Sequence, residues 1–217
     1  KCMQEMILAI AFDKDNIKYY LFMSRVLMAN ADISSAMHML RYALHLNPHH
    51  LESKKRLYSI LILNAKELVQ DAINVEPNDE EKSKHLFSLA ICRFNDAQIF
   101  EKDLFDRMDP DIWTLKAIAQ FSIQDYVSSV ESADRALRSR HEMGDDLKTA
   151  ELYILKGKIL WAQGLMDAGN KQILIAAKLN PDHIEVKGFS RRTYERADRD
   201  YRKAVDLFGE GNYADAF

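Results

Sequence analysis

The 217-residue sequence is poor in chain breakers, with only 7 glycines and 4 prolines. Average proteins contain about 7% glycine and 5% proline. Each proline follows Asn, Asp or Glu at the end of an apolar-periodic stretch, where helices stop. The four are Pro48, Pro77, Pro110 and Pro181. This scarcity predicts helix over most of the chain, with the prolines separating helical units.

Long apolar runs and cysteine motifs are also missing. The longest apolar run, residues 6–12, is far shorter than the roughly 20 residues that span a bilayer. Cys2 and Cys92 form no ligand or disulfide spacing, and no Asn-x-Ser/Thr acceptor occurs. We therefore expect a soluble chain in a reducing, intracellular location, the cytoplasm first, with nuclear and cytoskeletal or ciliary sites as alternatives.

No charge of one sign dominates the chain. Charged residues make up 29% of it and the net charge is −3. Such a balance steers neither nucleic acid nor anionic lipid toward the whole molecule. The basic stretch at 191–203 is interleaved with acidic residues four positions away, which favours pairing along one helix over nucleic-acid binding.

One short motif occurs twice. Residues 43–48 read ALHLNP, and residues 176–181, which begin 133 positions later, read AAKLNP. Four periods of a roughly 34-residue helix–turn–helix repeat would occupy about 136 residues. The recurrence predicts a repeat array, in which function resides in surfaces.

Three stretches resemble the tetratricopeptide repeat family, whose unit pairs a helix A with a helix B. Residues 17–50 match its large, small and Ala-like slots best, while 150–183 and 110–143 match less completely. In the first stretch the matching residues are Tyr20, Ser24, Leu27, Ala36, Leu40, Ala43 and Pro48. The resemblance implies an all-α superhelix, or solenoid, in which small residues such as Ser24 and Ala36 let helices A and B approach closely.

On this resemblance, residues 1–217 form a single array with irregular parts. Residues 1–16 would end a preceding repeat, and 184–217 would be a long helix, started by Asp182, followed by a truncated repeat. We expect the natural chain to carry further repeats on both sides.

The middle of the chain fits the repeat poorly. Residues 51–79 and 80–109 are expected to be two degenerate, short repeats. In the first, 57–61 resembles a helix A and 65–72 a helix B, with too few residues for a turn between them. Two explanations fit these shortfalls. The units are either truncated or lack residues that are missing from the sequence, and we favour the second explanation.

Catalytic, metal and cofactor motifs find no support. Pro48 breaks the helix that would align His45 with His49 as metal ligands. The stretch at 13–16 lacks the glycine and glutamate of a calcium loop, and the glycines at 209–214 follow a charged helix instead of a buried strand. We expect a non-enzymatic protein without cofactor or metal.

In the tetratricopeptide family the A helices line a concave face that binds partner peptides. When the family's positions are transferred to this sequence, the resemblance places three pairs of residues on this face. An equally weighted alternative is that some of these residues pack on the neighbouring repeat. The pairs are Arg25 and Met28, Ile118 and Phe121, and Lys158 and Trp161. An apolar ladder flanked by cations would suit an amphipathic helix or an extended peptide.

These observations favour a protein–protein interaction scaffold inside a larger intracellular complex. Its partners would be other proteins, with no small-molecule substrate. One alternative is a building block of a cytoskeletal, ciliary or multi-subunit assembly that uses convex and edge surfaces. Another is the regulatory repeat arm of an enzyme.

Overall fold

The structure, a computed structural model, describes residues 2–75, 79–105 and 109–189. Within these ranges the regular elements are helices, with no strand, and the predicted all-α fold class is confirmed. They are α1 (Cys2–Phe12), α2 (Ile17–Ala29), α3 (Ile33–Leu46), α4 (Leu51–Asn74), α5 (Glu80–Gln98), α6 (Glu101–Leu104), α7 (Pro110–Ser122), α8 (Tyr126–Met143), α9 (Asp146–Ala162) and α10 (Met166–Leu179). A further helix begins at residue 184.

The described part of the chain divides into two compact units. The first comprises residues 1–136 and the second residues 137–217. In the first unit α2 packs on α3, α3 on α4, and α4 on α5, which also contacts α7. In the second, α9 packs on α10 around a core of Ile154, Ile173 and Val186.

Side-chain caps fix where most of these helices begin. At each start a side-chain acceptor receives a backbone N–H of the first turn, which would otherwise have no partner. The capping residues are Asn16, Asp32, His50, Asp79, Asp109 and Asp145. Pro110 occupies the first turn of α7, where its missing N–H costs nothing.

Small residues lie at the crossing points of the helix pairs, as the tetratricopeptide resemblance predicted. Ser24 of α2 and Ala36 of α3 are both buried. In the second unit Gly157 of α9 and Gly169 of α10 approach so closely that a Cβ on Gly169 would lie 2.8 Å from the Gly157 carbonyl oxygen. The predicted close packing of helix pairs through small residues is therefore confirmed.

The two helices expected within residues 51–79 are one continuous helix, α4, so that prediction was wrong. Its buried face runs through the predicted break without losing register, and no Gly or Pro interrupts 61–66. The buried residues on this face include Leu57, Leu61, Ala65, Val69 and Ala72. Spacings of three and four residues maintain one helical face over about four turns.

Residues 80–98 likewise form one helix, α5, within the stretch that was expected to be the second short repeat. It packs along α4, with Ser83 Oγ donating to the Ala72 carbonyl at 2.9 Å and Arg93 Nε donating to Asn64 Oδ1 at 3.2 Å. Residues 51–98 thus make one long helix pair in place of two short repeats.

The helix predicted to start at Asp182 is capped by His183 instead. His183 Nδ1 accepts the backbone N–H of Glu185 at 3.2 Å, while the Asp182 carboxylate pairs with Lys187 at 2.9 Å. The predicted continuation of this helix, the basic stretch at 191–203 and the glycine turn at 209–214 lie outside the described residues.

Three of the turns between paired helices share a left-handed residue. Ala31, Gln124 and Gly164 have φ values of 59°, 66° and 81°, and each stands two positions before the next helix begins. Only glycine adopts this conformation without steric cost. The first two turns therefore carry strain that the third avoids.

Replacing Gly169 by alanine should destabilise the second unit. The new methyl would meet the Trp161 ring and the Gly157 backbone, and overpacking of this kind costs about 1–3 kcal/mol. The higher helix propensity of alanine stabilises the helix by roughly 1 kcal/mol or less, which does not offset the larger overpacking costs. Gly157→Ala is the matched control, because its nearest neighbour is the flexible end of Ile173. Urea unfolding should rank Gly169→Ala as the less stable variant; equal stabilities would contradict the close backbone approach.

Replacing Ala31 by glycine should stabilise the first unit. The left-handed conformation costs a non-glycine residue about 1–2 kcal/mol, which glycine avoids. Glycine's greater freedom in the unfolded chain opposes this stabilisation by up to about 1 kcal/mol. We expect the free energy of unfolding to rise by about 0.5–1 kcal/mol, as measured by urea titration. Gly164→Ala should have the opposite sign, and a fall in stability for Ala31→Gly would contradict the turn conformation.

Candidate functional site

Arg25 and Met28, the first predicted pair, line a groove between α2 and α4. We call this cavity, of about 390 Å³, the α2–α4 groove. Its lining comprises Ser24, Arg25, Met28, Lys55, Arg56, Ser59 and Ile60. Both helices belong to the first compact unit.

Helical spacing brings these residues to facing sides of the two helices. On α2 Met28 follows Ser24 by four positions and Arg25 by three, and on α4 the pair 59–60 follows the pair 55–56 by four, so each set shares one helix face. Ile60 is buried and Met28 is half-buried, which makes the floor apolar. Arg25, Lys55 and Ser59 are exposed and form the rim.

One acidic residue lies among the cations of the α2–α4 groove. Arg56 Nε donates to Glu52 Oε1 at 2.6 Å, and Arg56 Nη1 donates to the Leu21 carbonyl of α2 at 3.2 Å. The hydrogen bond and the charge of Arg56 lower the pKa of the Glu52 carboxyl, partial burial opposes them, and the charges of Arg25 and Lys55 lower the pKa by smaller amounts. All three cations therefore act on the same small region.

Arg25 and Lys55 keep their charges available. Among the described residues, neither side chain has a hydrogen bond or an ion pair. Since Glu52 offsets only one of the three positive charges, the rim has an excess of two. The α2–α4 groove can therefore accept an apolar side chain on its floor and carboxylates at its rim.

The second predicted pair, Ile118 and Phe121, lies on α7. Both side chains are half-buried. The Phe121 ring lies 5.9 Å from the ring of Tyr126 on the paired helix α8. Phe121 thus packs within its own helix pair, whereas the alternative to a ligand-facing role was packing on the neighbouring repeat.

The third pair, Lys158 and Trp161, lines a cavity of about 500 Å³ in the second unit. Lys158 Nζ pairs with the Glu185 carboxylate at 2.6 Å. Trp161 Nε1 donates to Asn170 Oδ1 at 3.1 Å, and its ring stacks on Phe189 with centroids 5.9 Å apart. Internal partners therefore already hold both side chains that were expected to meet a ligand.

The histidines considered as metal ligands have other surroundings. His50 caps α4 by accepting the Ser53 backbone N–H at 3.2 Å. In the described part of the chain, no group of three His, Cys, Asp or Glu side chains could hold a metal ion. Over the same residues, no helix is long and apolar enough to cross a membrane.

Sequence reasoning missed the half of the α2–α4 groove that α4 contributes. Lys55, Arg56, Ser59 and Ile60 lie near the start of α4, and the repeat template assigned all four to a short, degenerate unit. The available signal was the spacing of Glu52, Arg56 and Ile60 at every fourth position on a helix adjoining the best-matched repeat.

Comparisons with known proteins concern the fold. No family model and no curated protein sequence matches the chain. YrrB, described as a TPR protein with an unusual peptide-binding site, is 15% identical, with 98% of this chain and 87% of that chain covered and a TM-score of 0.39. The P58(IPK) TPR domain is 14% identical, with 99% and 64% covered and a TM-score of 0.42. MamA is 12% identical, with 89% and 87% covered and a TM-score of 0.42.

Titration of Glu52 tests the cation cluster. Its carboxyl pKa should lie below the ordinary glutamate range, and Arg56→Gln should raise it more than Arg25→Gln does, because Arg56 supplies the largest effect. A depressed pKa stabilises the folded state above the unfolded-state pKa, and this contribution is lost as pH falls through the folded-state pKa. Carbon-13 NMR of the carboxyl group measures the shift. An unchanged pKa in Arg56→Gln would contradict the proximity of the two groups.

Proposed function

We propose that this chain, whose helix pairs are of the tetratricopeptide type, is a non-enzymatic intracellular scaffold that binds a peptide or helix of a partner protein in the α2–α4 groove. The observation that carries the proposal is the combination of an apolar floor with a polar, cationic rim. Protein interfaces use this arrangement, in which apolar anchors supply most of the affinity and surrounding polar groups supply orientation.

The groove has the form that such binding needs. At about 390 Å³ it lies within the range of ligand pockets, roughly 300–1,000 Å³. Its walls are two capped helices, so it is largely formed before a partner arrives. A preformed site costs less ordering entropy on binding than a loop that must fold around its ligand.

A second candidate is a building block of a larger assembly, and α1 supplies the observation that favours it. Leu8 and Phe12 are 69% and 94% exposed, which is unusual for large apolar side chains on one helix. Cross-linking mass spectrometry separates the two candidates. Links from Lys55 favour partner binding in the α2–α4 groove, whereas links from Lys14, next to α1, favour an assembly surface.

Filling the α2–α4 groove should weaken partner binding without affecting the core. Ser59→Trp places a large ring at the exposed rim, where it would exclude the anchoring side chain of a partner. Loss of a buried anchor costs about 1.4 kcal/mol or more, so we expect at least about a tenfold loss of affinity for any partner bound there. The measurement is quantitative recovery of partners purified with the wild-type protein.

Ser88→Trp is the matched control for this experiment. Ser88 is also exposed, lies on α5 outside the groove, and donates its hydroxyl to the carbonyl four residues earlier at 2.9 Å, as Ser59 does at 3.0 Å. Equal partner recovery with both variants would contradict binding in the α2–α4 groove.

A further inference from the structure

Arg56, a lining residue of the α2–α4 groove, already pairs with a carboxylate of the chain itself, that of Glu52 beside the groove. Glu52 forms its ion pair with Arg56 at 2.6 Å while remaining half-exposed, and Arg25 and Lys55 act on the same carboxyl group. An internal acid held by these cations indicates the kind of chemistry that the site accepts. Two positive charges remain without a described partner.

Charge complementarity therefore defines the occupant. A ligand with carboxylates can reach Arg25 and Lys55 at the exposed rim, and the guanidinium group of Arg25 can bind a carboxylate through two parallel hydrogen bonds. The floor of Met28 and Ile60 favours an apolar side chain between these carboxylates. A basic segment would meet the same three cations and be repelled.

We propose that the α2–α4 groove selects an acidic segment of a partner protein, with an apolar side chain flanked by Asp or Glu, and that Glu52 competes with this segment for the cations. The inference rests on the proposed function and adds the partner's chemistry and an internal competitor. Arg56, which also donates to the Leu21 carbonyl, is held in place whether or not Glu52 occupies it.

A peptide fits these observations better than a nucleic acid. Phosphate backbones gain affinity from extended arrays of cations, whereas this rim has three cations, one of them already paired with Glu52. The apolar floor provides no hydrogen bond or charge that could bind a phosphate group. The net charge of −3 also gives the whole molecule no general attraction for polyanions.

The test begins with selection from a phage library of random 12-residue peptides on the full chain. Groove-specific clones are those that bind wild type and Ser88→Trp but fail to bind Ser59→Trp. We expect these clones to be enriched in Asp and Glu around a Leu, Ile, Met or Phe. Synthetic peptides from the enriched clones then serve as probes in fluorescence anisotropy.

Charge variants measure the selectivity of the groove. Arg25→Glu with Lys55→Glu should weaken the acidic probes by about tenfold or more, since the change removes two attractive contacts and adds two repulsive ones. The matched control, Lys171→Glu with Lys178→Glu, makes the same change in net charge on exposed residues of α10 and should leave affinity within about twofold. Circular dichroism melting of each variant verifies folding.

Glu52→Gln tests the competition directly. Removing the internal acid should tighten binding of the acidic probes by about two- to fivefold, and it should leave a neutral version of each probe, with Asn and Gln in place of Asp and Glu, unchanged. Binding of the acidic probes should weaken as salt is raised, because the contacts are exposed.

The outcomes separate this inference from the proposed function. Acid selectivity would be overturned by groove-specific clones that show no enrichment in Asp or Glu. It would also be overturned if the double charge reversal left the affinity of the acidic probes unchanged. Either result would still leave the groove as a binding site. Unchanged affinity in Glu52→Gln would overturn the internal competitor. The absence of groove-specific clones would count against the inference and the proposed function together, as would a single-stranded oligonucleotide that displaces the acidic probes.

Discussion

Close contact between the two helices of each pair is the constraint on which the rest of the structure depends. Ser24 and Ala36 are buried where α2 meets α3, and Gly157 and Gly169 bring α9 and α10 still closer. Larger side chains at these positions would separate the helices and expose the core between them. Because the interior of a pair is fixed in this way, variation is tolerated mainly on its outer faces, where binding can evolve without loss of the fold.

The continuity of α4 connects this packing to function. Its apolar face runs from Leu57 to Ala72 against α5 without interruption, so the helix is held rigidly along its length. On another side of the same helix, Lys55 and Arg56 face α2 and meet Arg25 across the groove. A helix broken near residue 62, as the repeat length suggested, would have no such extended support. The same helix thus serves the core with one side and the α2–α4 groove with another.

Much of the fold could be predicted from the sequence because its signals are local. The buried small residues, the caps at Asn16 and Asp32 and the helix stop before Pro48 follow from residue type and spacing. The α2–α4 groove could be predicted only in half, through Arg25 and Met28. Its other half depends on which face α4 turns toward α2. A repeat template of fixed length could not give this face, because it divided α4 into two short helices. The internal partners of Trp161, including Phe189, also depend on tertiary packing that no local pattern specifies.

The central claim is that α2 and α4 together form an acid-selective binding site for a partner segment. A crystal structure of the full chain with a bound acidic peptide tests it most directly. We predict a peptide carboxylate within hydrogen-bonding distance of Arg25 or Lys55 and an apolar side chain between Met28 and Ile60. A peptide bound elsewhere on the chain, with the α2–α4 groove occupied only by solvent, would contradict the account.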